Sequence, residues 1–132
     1  MIPLEIKNTR NTPSVLFNET GCSFALRGIS TMADAKAFYQ PVIEWILNEE
    51  NVFTSNFVFE FHLPYFNSGT HKCLYHLIEA IASRAAMGQT HHIVWCVEDD
   101  DEFMKEGGEA LEEISGVRFD YKQVPFSTEQ LF

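Results

Sequence analysis

Apolar and polar residues alternate most clearly along Phe57-Val58-Phe59-Glu60-Phe61-His62-Leu63, where Phe57, Phe59, Phe61 and Leu63 share one side of an extended chain and Val58, Glu60 and His62 the other. This pattern predicts a half-buried strand. After Pro64 to Thr70 the period changes: Cys73, Leu74, Leu77, Ile78, Ile81, Ala82 and Ala85 recur at helical spacing, and Gly88 stands where a left-handed C-terminal cap is expected. Strand therefore gives way to helix across Asn67-Ser68-Gly69-Thr70.

Upstream, Leu4 to Lys7, Ser14 to Phe17 and Cys22 to Ile29 read as three short strands, with Asn8 to Pro13 and Asn18 to Gly21 as turns; they suggest a hairpin or meander. Ala33 to Glu50 reads as a helix with Phe38, Val42, Trp45 and Ile46 on one stripe and Tyr39 and Ile43 beside it, capped by Ser30, Thr31 or Asp34. Pro41 should kink that helix, or stand at its first position. Downstream, the apolar middle of His91 to Glu98 predicts a central strand. Asp99 to Ser115 reads as a helix anchored by Phe103, Leu111 and Ile114. It should be weak or interrupted at Gly107-Gly108, since each glycine costs about 1 kcal/mol relative to alanine. Val117 to Val124 closes the series as an edge strand, and Pro125 to Phe132 should fray. The alternation predicts an α/β fold with a mixed sheet. The polar second faces of the Cys22 and Phe57 strands place the helices mainly on one side.

A chain of 132 residues with 45% apolar content and 12 Phe is long and apolar enough for one core, and folding should bury roughly two thirds of the unfolded surface. The net charge of -10 argues against nucleic acid and anionic membranes and favours a basic site on another protein. Cys22, Cys73 and Cys96 are odd in number and sit in apolar patterns without C-x-x-C spacing, so they read as reduced core thiols. With no leader-like start and no apolar run near the roughly 20 residues that cross a bilayer, a cytoplasmic protein is expected.

Little in the chain looks catalytic. Glu98 to Glu102 lacks the alternating oxygen ligands and glycine turn of a calcium loop and reads as an acidic helix start. His62, His71, His76, His91 and His92 form no H-x-x-x-H pair, although a zinc site could be assembled from distant positions. Arg27, Glu60 and His62 can share the open sheet face, which leaves a small metal-dependent enzyme as one alternative; a constitutive adaptor that dimerises through that face is another. No G-x-S-x-G elbow or phosphate-cradling glycine pattern surrounds Ser68. The Ser68 hydroxyl has two compatible readings. It, Asn67 or Thr70 can cap the helix; and Ser68 can accept a phosphoryl group, whose charge of about -1.5 to -2 is tolerated beside a positive helix end with Lys72 one turn away.

Gly28 through Trp45 with Phe38-Tyr39-Gln40-Pro41-Val42-Ile43-Glu44-Trp45 at its centre, then Tyr65-Phe66-Asn67-Ser68-Gly69-Thr70-His71-Lys72, then Trp95 through Glu109, resembles the SiaC family of bacterial regulatory phosphoproteins. That family is similar to STAS-domain anti-sigma-factor antagonists. The resemblance implies a single STAS-like domain over residues 1–125 with a C-terminal tail at 126–132. It further implies a non-enzymatic partner switch without cofactor or metal. A serine/threonine kinase with a histidine-kinase-like ATPase fold would phosphorylate the junction hydroxyl, a PP2C-type phosphatase would remove the phosphate, and the unmodified form would bind an effector. In the best-known member that effector is a diguanylate cyclase, which makes cyclic di-GMP and controls biofilm formation. Ser68 matches the acceptor position, and Tyr65, Asn67, Ser68, Gly69, Thr70 and Lys72 form the surface a partner is expected to grip. The family's acceptor is usually threonine followed by serines; here Gly69, Thr70 and His71 follow Ser68, which makes Thr70 a rival acceptor.

Overall fold

The structure, a computed structural model, describes residues 1–20, 22–54, 56–86 and 92–126. Its elements follow the expected order: Glu5–Ile6 (β1), Ser14–Asn18 (β2), Ser23–Arg27 (β3), Ala35–Leu47 (α1), Val58–His62 (β4), Ser68–Ala86 (α2), His92–Glu98 (β5), Glu102–Ser115 (α3) and Asp120–Val124 (β6). Gly88 and His91, expected as a helix cap and a strand start, and the expected frayed tail beyond Phe126 lie outside the described residues.

The strands form one mixed sheet in the order β1-β2-β3-β4-β5-β6. β1, β2 and β3 pair antiparallel, and β3 to β6 pair in parallel. Each parallel connection steps to the next strand in the same direction. Right-handed crossovers taken that way put every helix on the same face, so α1, α2 and α3 pack side by side over one side of the sheet. The core lies between: Phe24 and Leu26 of β3, Phe59 and Phe61 of β4, and Ile93 and Trp95 of β5 meet Tyr39, Val42, Trp45 and Ile46 of α1 and Leu74, Leu77 and Ile78 of α2.

Two expectations about the helices need correction. α3 runs unbroken through Gly107 and Gly108, because both glycines are sites of close approach. A Cβ on Gly108 would lie 2.5 Å from Trp95 Cδ1, and one on Gly107 3.0 Å from Phe66 Cζ. The local helix cost of glycine is offset by letting α3 reach the Trp95 indole, whose Nε1 donates to the Met104 carbonyl at 2.8 Å. Of the anchors expected on α3, only Leu111 is buried, alongside Met104, whereas Phe103 and Ile114 face solvent. In α1, Pro41 lies inside a single helix rather than at its start, and Asp34 is the cap, accepting from Ala37 N at 3.1 Å.

Candidate functional site: the start of helix α2

The chain leaves β4, passes Leu63 to Phe66, and enters α2 at Ser68. A short parallel bridge between Ser30 and Phe66 ties this turn to the segment after β3. Ser30 N donates to the Tyr65 carbonyl at 3.0 Å, and Asn67 N donates back to the Ser30 carbonyl at 3.1 Å. Asn67 is the helix cap: its Oδ1 accepts from Thr70 N at 2.9 Å while its Nδ2 donates to the Met32 carbonyl at 3.2 Å. The first turn is therefore held by Asn67, leaving the Ser68 hydroxyl exposed at the first residue of the helix.

Thr70 behaves differently. It is fully buried; its hydroxyl donates to the Ser30 carbonyl at 3.0 Å and lies 2.7 Å from Ser30 Oγ, which in turn is hydrogen-bonded to Tyr39 OH at 2.8 Å. Positions two apart on a helix differ by about 200°, so Ser68 and Thr70 point in nearly opposite directions. The expectation of Thr70 as a rival acceptor and as part of a gripped surface is thus corrected: its oxygen is closed off in a hydroxyl cluster under the helix. Burial pushes the Tyr39 phenol well above its ordinary value, with the Ser30 hydrogen bond acting the other way.

Around Ser68, Gly69 and Lys72 are exposed, and Tyr65 stands 57% exposed. A Cβ on Gly69 would sit 3.8 Å from Ala35 Cβ, so α1 and α2 begin beside each other. Burial raises the Cys73 thiol, opposed by Lys72, reinforced by Asp34 and opposed again by Lys36, which puts both lysines within electrostatic reach of this end of the helix pair. On its other flank Ser68 shares a cleft of about 440 Å³ with Phe66, Asn67, His71, Phe103, Glu106, Gly107 and Ala110. Residue-by-residue reading of the sequence missed the α3 side of that cleft. Its signal was present in Phe103, Gly107 and Ala110, a string of apolar or small residues inside an acidic helix.

The alternative constellation on the open sheet face divides into two separate pairs. Arg27 Nη2 lies 2.7 Å from Glu60 Oε1, and His62 Nε2 lies 2.8 Å from Glu98 Oε2. Glu60 and His62 share that face, as the alternation predicts, but each is held by a different partner. Cys96, buried on this face, has its thiol pushed up to about 11 by burial and by the nearby Glu60 carboxylate, a direction that opposes a nucleophilic role. Among the described residues, no three His, Cys, Asp or Glu side chains gather as a metal set, and no helix is long and apolar enough to cross a membrane.

Comparison with solved structures gives the same architecture. A chain in the crystal structure of the diguanylate cyclase SiaD in complex with its activator SiaC from Pseudomonas aeruginosa matches with a TM-score of 0.75 at 18% identity, covering 93% of this chain and 99% of that one. Apo-SiaC from Pseudomonas aeruginosa matches at TM-score 0.74 and 17% identity, over 93% and 98% of the two chains. A further SiaC structure from the same organism matches at 0.74 and 18%, over 96% and 100%. No curated protein matches the sequence. The family model for SiaC family regulatory phosphoproteins covers residues 6–124, nearly all of the sheet and all three helices, and the chain belongs to that family.

Proposed function

We propose that this protein is a non-enzymatic partner switch whose state is set by phosphorylation of Ser68. The observation that carries the reading is the contrast within one turn of helix: the Ser68 hydroxyl is exposed and spared from capping, while the Thr70 hydroxyl is buried and doubly hydrogen-bonded. A phosphoryl group on Ser68 adds about -1.5 to -2 charges beside the positive end of α2, so the protein alone accommodates it. A partner resting on Tyr65, Asn67, Ser68, Gly69 and Lys72 would instead have to desolvate a dianion.

The cycle needs a serine/threonine kinase with a histidine-kinase-like ATPase fold, a PP2C-type phosphatase, and an effector that binds the unmodified form. By analogy with the SiaD complex, the effector is a diguanylate cyclase. The switch works in the cytoplasm, where its kinase has ATP. The test is binding of the effector to the wild-type chain, its phosphorylated form, Ser68→Ala and Ser68→Asp. Phosphorylation and Ser68→Asp should each weaken binding, with about 100-fold corresponding to about 2.7 kcal/mol. Ser68→Ala should bind as wild type and refuse the phosphate. Equal binding by the phosphorylated and unmodified chains would refute the switch.

A further inference from the structure

Helix α3 carries three parallel stripes, each displaced by one residue and so by about 100° around the axis. Met104, Gly108 and Leu111 form the buried one. Next come Phe103, Gly107, Ala110 and Ile114, and beyond them Glu102, Glu106, Glu109 and Glu113. The middle stripe is apolar yet faces outward: Phe103 is 50% exposed, Ile114 is 60% exposed, and Ala110 is exposed between them. At the Phe103 end it merges with the switch region. The Tyr65 ring stacks on Phe103 at 6.0 Å, and Phe66 lies 5.7 Å from Phe103 and 6.3 Å from the His71 ring. Here the cleft of about 440 Å³ opens, with Gly107 and Ala110 on one side, Glu106 at their edge, and Ser68 on the other side.

We propose that this stripe and cleft form a docking surface for a segment of another protein that carries a bulky apolar side chain flanked by lysine or arginine. The apolar side chain fits because small residues at 107 and 110 leave the cleft open beside the ring of Phe66. The basic flanks follow from the row of four glutamates along the stripe, on a protein of net charge -10. Regulation of this surface rests on the switch reading: a phosphate on Ser68 stands at the cleft's edge, where the apolar side chain would have to pass a hydrated dianion.

The experiment places the photoreactive residue p-benzoylphenylalanine in place of Ala110, or of Ile43 on α1 as a control, in the full-length protein in the cells that make it. Cross-linked peptides are then identified by mass spectrometry. The expected adduct forms at position 110 with a peptide of a different protein that has an apolar side chain next to Lys or Arg. The paired change Glu106→Lys with Glu113→Lys should cut its yield at least about tenfold, with an unchanged thermal melt. Absence of an adduct at 110, an adduct with a second copy of this chain, a peptide without basic residues, or indifference to the paired charge change would each overturn the proposal. An adduct that forms equally well when Ser68 is phosphorylated supports the docking surface and refutes the switch. Loss of effector binding on phosphorylation without any adduct at 110 does the reverse.

Discussion

The two ends of the α1–α2 pair solve the same electrostatic problem in opposite ways. Where the helices end, the Arg84 guanidinium is buried and binds the backbone: Nη1 donates to the Ile46 carbonyl at 3.4 Å and to the Asn48 carbonyl at 2.8 Å, Nη2 donates to the Asn51 carbonyl, and the group lies over the Phe53 ring at 5.4 Å. Asn51 adds a bond from Nδ2 to the Trp45 carbonyl at 2.7 Å and accepts from Ile2 N at 2.8 Å. Positive charge there meets the negative end of α1 out of water, which ties loop, helix and N-terminal segment together. Where the helices begin, the Asp34 carboxylate caps α1 from the surface, and the neutral Asn67 amide caps α2 and leaves the Ser68 hydroxyl in solvent. The closed end is built for stability and cannot admit a modifying enzyme; the open end contributes little to stability at Ser68 and can. A residue that the fold needs least is the one a switch can change without unfolding its carrier.

Urea denaturation should resolve a graded series of stability losses between the two ends. Arg84→Met should have the largest effect, about 3–5 kcal/mol, because it leaves several carbonyls in the interior without donors. Asn67→Ala should cost about 1 kcal/mol, the usual worth of a helix cap. Tyr39→Phe, which removes only the outer hydroxyl of the cluster under the open end, should cost about 0.5–1.5 kcal/mol. It should also flatten an alkaline dependence. Burial makes the folded Tyr39 hold its proton more tightly than the unfolded chain does, so unfolding releases a proton above the ordinary value of 10.0 and stability falls as pH rises past it. Ser68→Ala should change stability least, within about 0.5 kcal/mol. A Ser68→Ala loss as large as that of Asn67→Ala would mean that Ser68 is a structural cap and would erase the difference between the two ends.

Most of the architecture was legible because the periods are strong. The alternation of Phe57, Phe59, Phe61 and Leu63 and the helical spacing from Cys73 to Ile81 each correspond to an observed element. Errors arose where the deciding interaction is tertiary. Gly107 and Gly108 read as helix-weakening because their cost is local, whereas their benefit comes from Phe66 and Trp95, which belong to other elements. Phe103 and Ile114 looked like core anchors because apolar type and helical spacing do not say which of two stripes one residue apart turns inward; Met104 and Leu111 do. Likewise, Ser68 and Thr70 are equivalent as sequence and differ only once the helix start is fixed by Asn67 and the Ser30 segment is laid beneath it. Glu60 and His62 do share the open face, but Arg27 and Glu98, from other strands, claim one each.

The central claim is tested most directly by mapping the phosphate on protein recovered from cells that contain its kinase. Intact-mass measurement followed by fragmentation of the Tyr65 to Lys72 region should show a single phosphoryl group on Ser68 and none on Thr70. A phosphate on Thr70, or a Ser68→Ala chain that gains the same mass as wild type, would contradict the account.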